Sequence, residues 1–142
     1  MPTRKASAIW EKGLKNGKGS FKGESGAVAA GYSFGTRFGD EPGSNPEELL
    51  AAAEAACFSM ALSLGLETNG TPSESVETQA ACTVEKVDDG FRITTMTLDV
   101  TAKVPGLDNA KFQEIAQATK EGCPVSKALK GNVNIKLNAK LG

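Results

Sequence analysis

The chain contains no histidine. That absence excludes Ser-His-Asp and Cys-His catalysis, histidine-ligated zinc and the HExxH metalloproteases together, because each needs an imidazole as base or ligand. Cysteine is sparse. Its three residues, Cys57, Cys82 and Cys123, are too few and too widely separated for a disulfide framework and form no CxxC pair. A reducing, cytoplasmic setting is expected, and no signal peptide, since no apolar segment with a small-residue cleavage site opens the chain. Charge of one sign is also lacking. The net charge is −1 and aromatic residues make up 6%. Residues 1–22 hold six basic side chains against the single acid Glu11, and residues 41–54 hold four acids and no base. The lysines are dispersed singly without interleaved aromatics, so we read a solvated face and expect neither nucleic acid nor a membrane surface as partner. One apolar run, residues 49–66, approaches a membrane span in length. It is rich in Ala rather than Leu and contains Glu54 and two serines, so a buried core helix is expected instead.

What is present reads as one α+β domain over residues 1–142, long enough to bury a core without disulfides. Residues 6–34 form a meander of short strands with turns at Asn16-Gly17 (with Gly19) and Ser25-Gly26. Residues 35–44 are expected as a loop, longer than usual for a compact domain and therefore a candidate for function. A central helix follows. Asn45 caps it, Pro46 fills the first position, and Glu48 stands where a capping box places its acid. Leu50, Ala53, Cys57, Met60, Ala61 and Leu64 are expected on its buried stripe, although the helix is apolar nearly all round. Val76–Val87 and Phe91–Val104 form a hairpin through Asp88-Asp89-Gly90. Asp108 caps a second helix ending near Gly122, Cys123-Pro124 opens a helical turn to Leu129, and Val133, Ile135 and Leu137 alternate as a last strand. We expect a mostly antiparallel sheet packed on the helices.

The candidate chemistry lies in Cys57, Cys123, Arg37 and Glu47. Cys123 stands at the start of a short helix, where free amides and the helix dipole favour a thiolate, so on spacing alone it is the first choice for a reactive cysteine. It could equally be a small residue tolerated before Pro124. Cys57, in an apolar helix, reads by default as packing, and Cys82, alternating with Ala80 and Val84, as structural. Arg37 lies between Phe34 and Phe38, where it can stack or enter a pocket as a fixed charge, or simply be solvated. Because Glu48 has the capping-box position, Glu47 is the acid left free to pair elsewhere, but on the residues alone a favourable first-turn charge with no other role is the preferred reading.

Four stretches together carry a resemblance that none carries alone. Thr36-Arg37-Phe38, Asn45-Pro46-Glu47-Glu48-Leu49, Ala55-Ala56-Cys57-Phe58-Ser59-Met60-Ala61-Leu62 and Gly122-Cys123-Pro124-Val125-Ser126 resemble the osmotically inducible protein C (OsmC) and organic hydroperoxide resistance family, in its OsmC branch, across essentially the whole chain. The resemblance implies the OsmC-like fold and a thiol-dependent peroxidase, for which the apolar helix surface is expected to favour organic hydroperoxides over hydrogen peroxide. It implies that Cys57 attacks peroxide, Cys123 resolves the sulfenic acid as a disulfide, and an Arg37–Glu47 pair activates the thiolate, reversing the preference that spacing gives for Cys123. Cys82 has no place in the motif set. Such chemistry needs a thiolate, a means of polarising the O–O bond and a second thiol, recycled by a dithiol reductant, and no metal, flavin or other cofactor. The rival from another class is a non-enzymatic module that binds an apolar ligand in the same fold, with both cysteines as packing. General thiol–disulfide exchange is weakened by the missing CxxC.

Helix arithmetic adds an expectation about assembly. Along one straight helix Glu47 and Cys57 are ~15 Å apart and differ by roughly 80° around the axis. If an Arg37–Glu47 pair serves a Cys57, the simplest source is a second copy, its central helix antiparallel across a two-fold near Ala52, where small residues allow close approach. A homodimer with shared active sites is therefore expected.

Overall fold

A computed structural model describes all residues, Met1–Gly142. The order is β1 (Ala6–Glu11), β2 (Lys18–Gly23), β3 (Ala29–Tyr32), α1 (Phe34–Phe38), α2 (Pro46–Thr68), β4 (Ser75–Val87), β5 (Gly90–Lys103), α3 (Asn109–Gly122), α4 (Pro124–Leu129) and β6 (Asn134–Leu141). These elements group into two compact units, Met1–Leu49 and Leu50–Gly142, whose boundary falls inside α2.

In the first unit β1, β2 and β3 pair antiparallel in that order. Gly19, expected in the turn, lies instead within β2, opposite Trp10 and Tyr32. A Cβ there would stand 2.7 Å from both rings, so the strand needs a glycine for the aromatic pair to close over it at 5.2 Å between centroids. The expected loop at residues 35–44 begins with helix: α1 covers Phe34–Phe38. Ser33 caps it, its Oγ accepting from Thr36 N–H at 3.1 Å while Thr36 Oγ1 accepts from Ser33 N–H at 2.9 Å. The Ser33-x-x-Thr36 spacing is a capping signal that aromatic and glycine neighbours masked.

The second unit is a three-stranded sheet, order β4-β5-β6, with helices on it. β4 and β5 form the expected hairpin, from Ser75 opposite Lys103 to Val87 opposite Gly90. β6 joins β5 in parallel, from Thr95 beside Asn134 to Ala102 beside Leu141. Parallel neighbours cannot be joined by a tight turn, and α3 and α4 supply the crossover. Asp108 caps α3 by accepting from Lys111 N–H at 2.8 Å, and Gly122 ends it. Central β5 turns Met96, Leu98, Val100 and Ala102 inward at the period of two, onto Phe58, Leu62 and Leu66 of α2 and Phe112 and Ala116 of α3.

The buried stripe of α2 differs from the expected one. Glu54, Phe58, Leu62 and Leu66 are fully buried, whereas Met60 is 77% and Leu64 63% exposed. The expectation failed because a helix apolar all round has no phase in its sequence. The sheet and α3 select the face, and the largest side chains at i, i+4 spacing fill the space. At its closest approach α2 presents Gly65, where a Cβ would stand 3.1 Å from Ile115 of α3. By length and apolarity α2 could cross a membrane, but its packed face is the core of this unit.

Candidate active site

α2 and α4 bring two sulfurs together. Cys57 lies midway along α2 and Cys123 at the joint between α3 and α4, where it ends one helix and begins the next. Its N–H donates to Thr119 O at 2.8 Å and its carbonyl accepts from Lys127 N–H at 2.9 Å, so the backbone around it is held on both sides. Pro124 supplies the preset first residue of α4. The two Sγ atoms are 2.9 Å apart, Cys123 donating to Cys57. Cys123 is fully buried and Cys57 half-buried.

The first-turn amide of α4 serves the other sulfur than spacing suggests. Cys123 makes no side-chain capping bond. The Val125 N–H acts on Cys57 and favours its thiolate. Burial and the contact with Cys123 act more strongly the other way, joined by the negative charge of Glu54, and the Cys57 thiol is pushed up from its ordinary value. Together these groups favour the thiol over the thiolate.

One turn from the sulfurs stand two residues that the sequence reading did not single out. Glu54 and Ser126 are buried, and Ser126 Oγ donates to Glu54 Oε1. The signal in the sequence was Glu54 as the sole charge between Leu49 and Leu66, three positions before a cysteine.

The first unit holds the other pair. Arg37 sits on the last turn of α1 and Glu47 on the first turn of α2. Arg37 Nε donates to both Glu47 oxygens at 3.2 Å and Nη2 to Oε1 at 2.8 Å, a forked, charge-assisted arrangement. Asn45 fixes their separation, since its Oδ1 accepts from Glu48 N–H at 2.8 Å and its Nδ2 donates to Thr36 O at 2.9 Å. One residue thereby caps α2 and ties α1 to it. The guanidinium lies 5.1 Å from the centre of the Phe38 ring, which itself packs on Phe34. Glu47 is 6% exposed, so its pairing is more than a first-turn surface charge. The four candidates thus form two pairs, one in each unit, while Cys82 lies half-buried on β4 against the core.

The OsmC-like protein family matches residues 39–138. The chain is 47% identical to peroxiredoxin OsmC of Escherichia coli (strain K12) over 133 residues, covering 93% of both proteins. It is 43% identical to organic hydroperoxide resistance protein OhrB of Bacillus subtilis (strain 168) over 101 residues, 70% of this chain and 72% of that one. The fold is similar to the crystal structure of an organic hydroperoxide resistance protein from Elizabethkingia anophelis, with a TM-score of 0.78 and 25% identity, covering 100% of this chain and 98% of that one. A motif set spread from Arg37 to Cys123, a fold matched over its full length and near-half identity to a relative of the same size agree: the chain belongs to the OsmC-like family.

Proposed function

We propose that Cys57 attacks the peroxide, that Cys123 resolves the product, and that an Arg37–Glu47 pair ionises Cys57 and holds the peroxide oxygens. The protein is a thiol-dependent peroxidase that reduces organic hydroperoxides to alcohols, in line with its OsmC and OhrB relatives. The observation that carries the assignment is the 2.9 Å contact between the two sulfurs. In the first step the Cys57 thiolate takes the terminal peroxide oxygen. An S–O bond forms, the O–O bond breaks, and the alkoxide leaves as alcohol after taking a proton. Cys123 then displaces water from the sulfenic acid and closes a disulfide, which a dithiol reductant reopens by exchange. A module that merely bound an apolar ligand would have no use for adjoining thiols.

Assembly follows from α2. Its exposed face carries Met60 and Leu64 together with Ala52, Ala53 and Ala56. An apolar face of this kind suits a second copy, and the small residues allow a close crossing. Glu47 and Cys57 stand ten residues apart on continuous α2, ~15 Å along the axis. In an antiparallel pair of such helices the Arg37–Glu47 pair of one protomer comes level with Cys57 of the other. We therefore read residues 1–142 as one OsmC-like domain that works as an intertwined homodimer with shared sites.

Treatment of the reduced protein with one equivalent of an alkyl hydroperoxide is expected to remove two hydrogens in intact-mass measurement, with peptide mapping that joins Cys57 to Cys123. An unchanged mass would overturn the peroxidase chemistry. A second expectation concerns Arg37→Lys. Lysine keeps the charge but loses the fork that engages both Glu47 oxygens. We expect turnover at pH 7 to fall ~100-fold, as when one preorganised donor is removed from a developing anion. The remaining surroundings push the Cys57 thiol upward, so the variant's thiolate fraction and rate should recover as pH rises through the alkaline range. Near-normal turnover with an unmoved pH profile would remove the fork from the mechanism.

A further inference from the structure

Glu54 is wholly buried, yet only one of its oxygens is satisfied: Ser126 donates to Oε1, and Oε2 has no hydrogen-bond partner. Burying a carboxylate on a single hydrogen bond is unfavourable, and an apolar side chain of like volume would serve packing better. The location suggests what the group does instead. Glu54 precedes Cys57 by three residues on α2, and Ser126 follows Cys123 by three on α4. The carboxylate–hydroxyl bond and the Sγ–Sγ contact are therefore successive rungs between the same two helices, one turn apart. The charge of Glu54 is felt at Cys57.

We propose that Glu54 is the proton acceptor of the resolving step. This rests on Cys57 as the attacking and Cys123 as the resolving thiol. Cys123 is fully buried, so its thiol has no direct route to solvent for the proton it must lose before attacking the sulfenic acid. Glu54 Oε2 takes the proton from Cys123 Sγ as the S–S bond forms and the S–O bond breaks, then returns it to the departing hydroxide, which leaves as water. The sulfenic sulfur is reduced, the Cys123 sulfur is oxidised, and Glu54 ends as it began.

The test is Glu54→Gln, whose amide oxygen can still accept from Ser126 and so keeps α4 docked. Reduced protein is mixed with one equivalent of cumene hydroperoxide across pH 6 to 9. Alcohol release, sulfenic acid trapped by dimedone and disulfide by mass are followed in time. The alcohol burst should persist in the variant, while disulfide closure slows by ~10²-fold and sulfenic acid accumulates. Closure should be nearly flat with pH in the wild type and rise about tenfold per unit in Glu54→Gln, where hydroxide must form the thiolate. Closure at the wild-type rate, or slowed closure with the wild-type pH profile, overturns the proposal, the second outcome marking a docking role alone. Should the glutamine variant not fold, Glu54→Asp decides: closure slower than wild type but still flat with pH supports the proposal, and closure rising with pH overturns it. A wild type that closes no Cys57–Cys123 disulfide at all would overturn the assignment of the thiols beneath it.

Discussion

Cys57→Ser should consume no alkyl hydroperoxide, whereas Cys123→Ser should react once and stop. A serine hydroxyl is not ionised near neutrality and cannot attack a peroxide oxygen, so the loss in the first variant should be complete within detection. In the second variant the nucleophile is intact and its product is stranded. With no thiol 2.9 Å away to displace water, the sulfenic acid should persist and then proceed to sulfinic acid under excess peroxide. One equivalent of alcohol per chain with sulfenic and sulfinic masses confined to the Cys57 peptide is the expected readout. The reverse pattern, with Cys57→Ser still giving its single turnover, would mean that the thiol at the helix start attacks and the assignment is inverted. Cys123 is buried and Cys57 half-buried. The greater exposure of Cys57 and the α4 amide that acts on its sulfur favour it as the attacking thiol.

Mixed dimers of Arg37→Ala and Cys57→Ser chains should regain the activity that each parent lacks. If the sites are shared, one site of the mixed dimer combines the Cys57 of the first chain with the Arg37 of the second, and the other lacks both. Each mixed dimer should therefore show about half the wild-type turnover. Tagging the two chains differently and purifying through both tags isolates the mixed species. Verified mixed dimers that stay dead would sink the shared site, and a monomer by sedimentation would sink the assembly with it. The effect should be large under the proposed mechanism, because burial and the contact with Cys123 disfavour a Cys57 thiolate that has no cation beside it. Electrostatic help confined to one chain would leave complementation at zero.

Most of the helix boundaries were legible because they rest on local chemistry. Asn45 and Pro46 start α2, Asp108 starts α3, Gly122 ends it, and Pro124 opens α4, each through a backbone group satisfied or a φ preset within a few residues. The β4–β5 hairpin was legible for the same reason, with Gly90 at φ 127 in its turn. Local spacing only left Glu47 free to pair and favoured a plain first-turn charge; its burial and the fork from Arg37 decided otherwise.

By itself the sequence determined the caps, the strand alternation, the exclusion of histidine chemistry and the family to which the chain belongs. Only the tertiary structure decided which face of α2 is buried, that β6 runs parallel to β5, and that the amide of Val125 serves Cys57 rather than Cys123. It alone placed Glu54 against Ser126, 72 positions away. The physical reason is common to all four. A helix apolar on every side carries no phase, a strand carries no record of its neighbour's direction, and a polar group finds its partner only after the chain has closed over it.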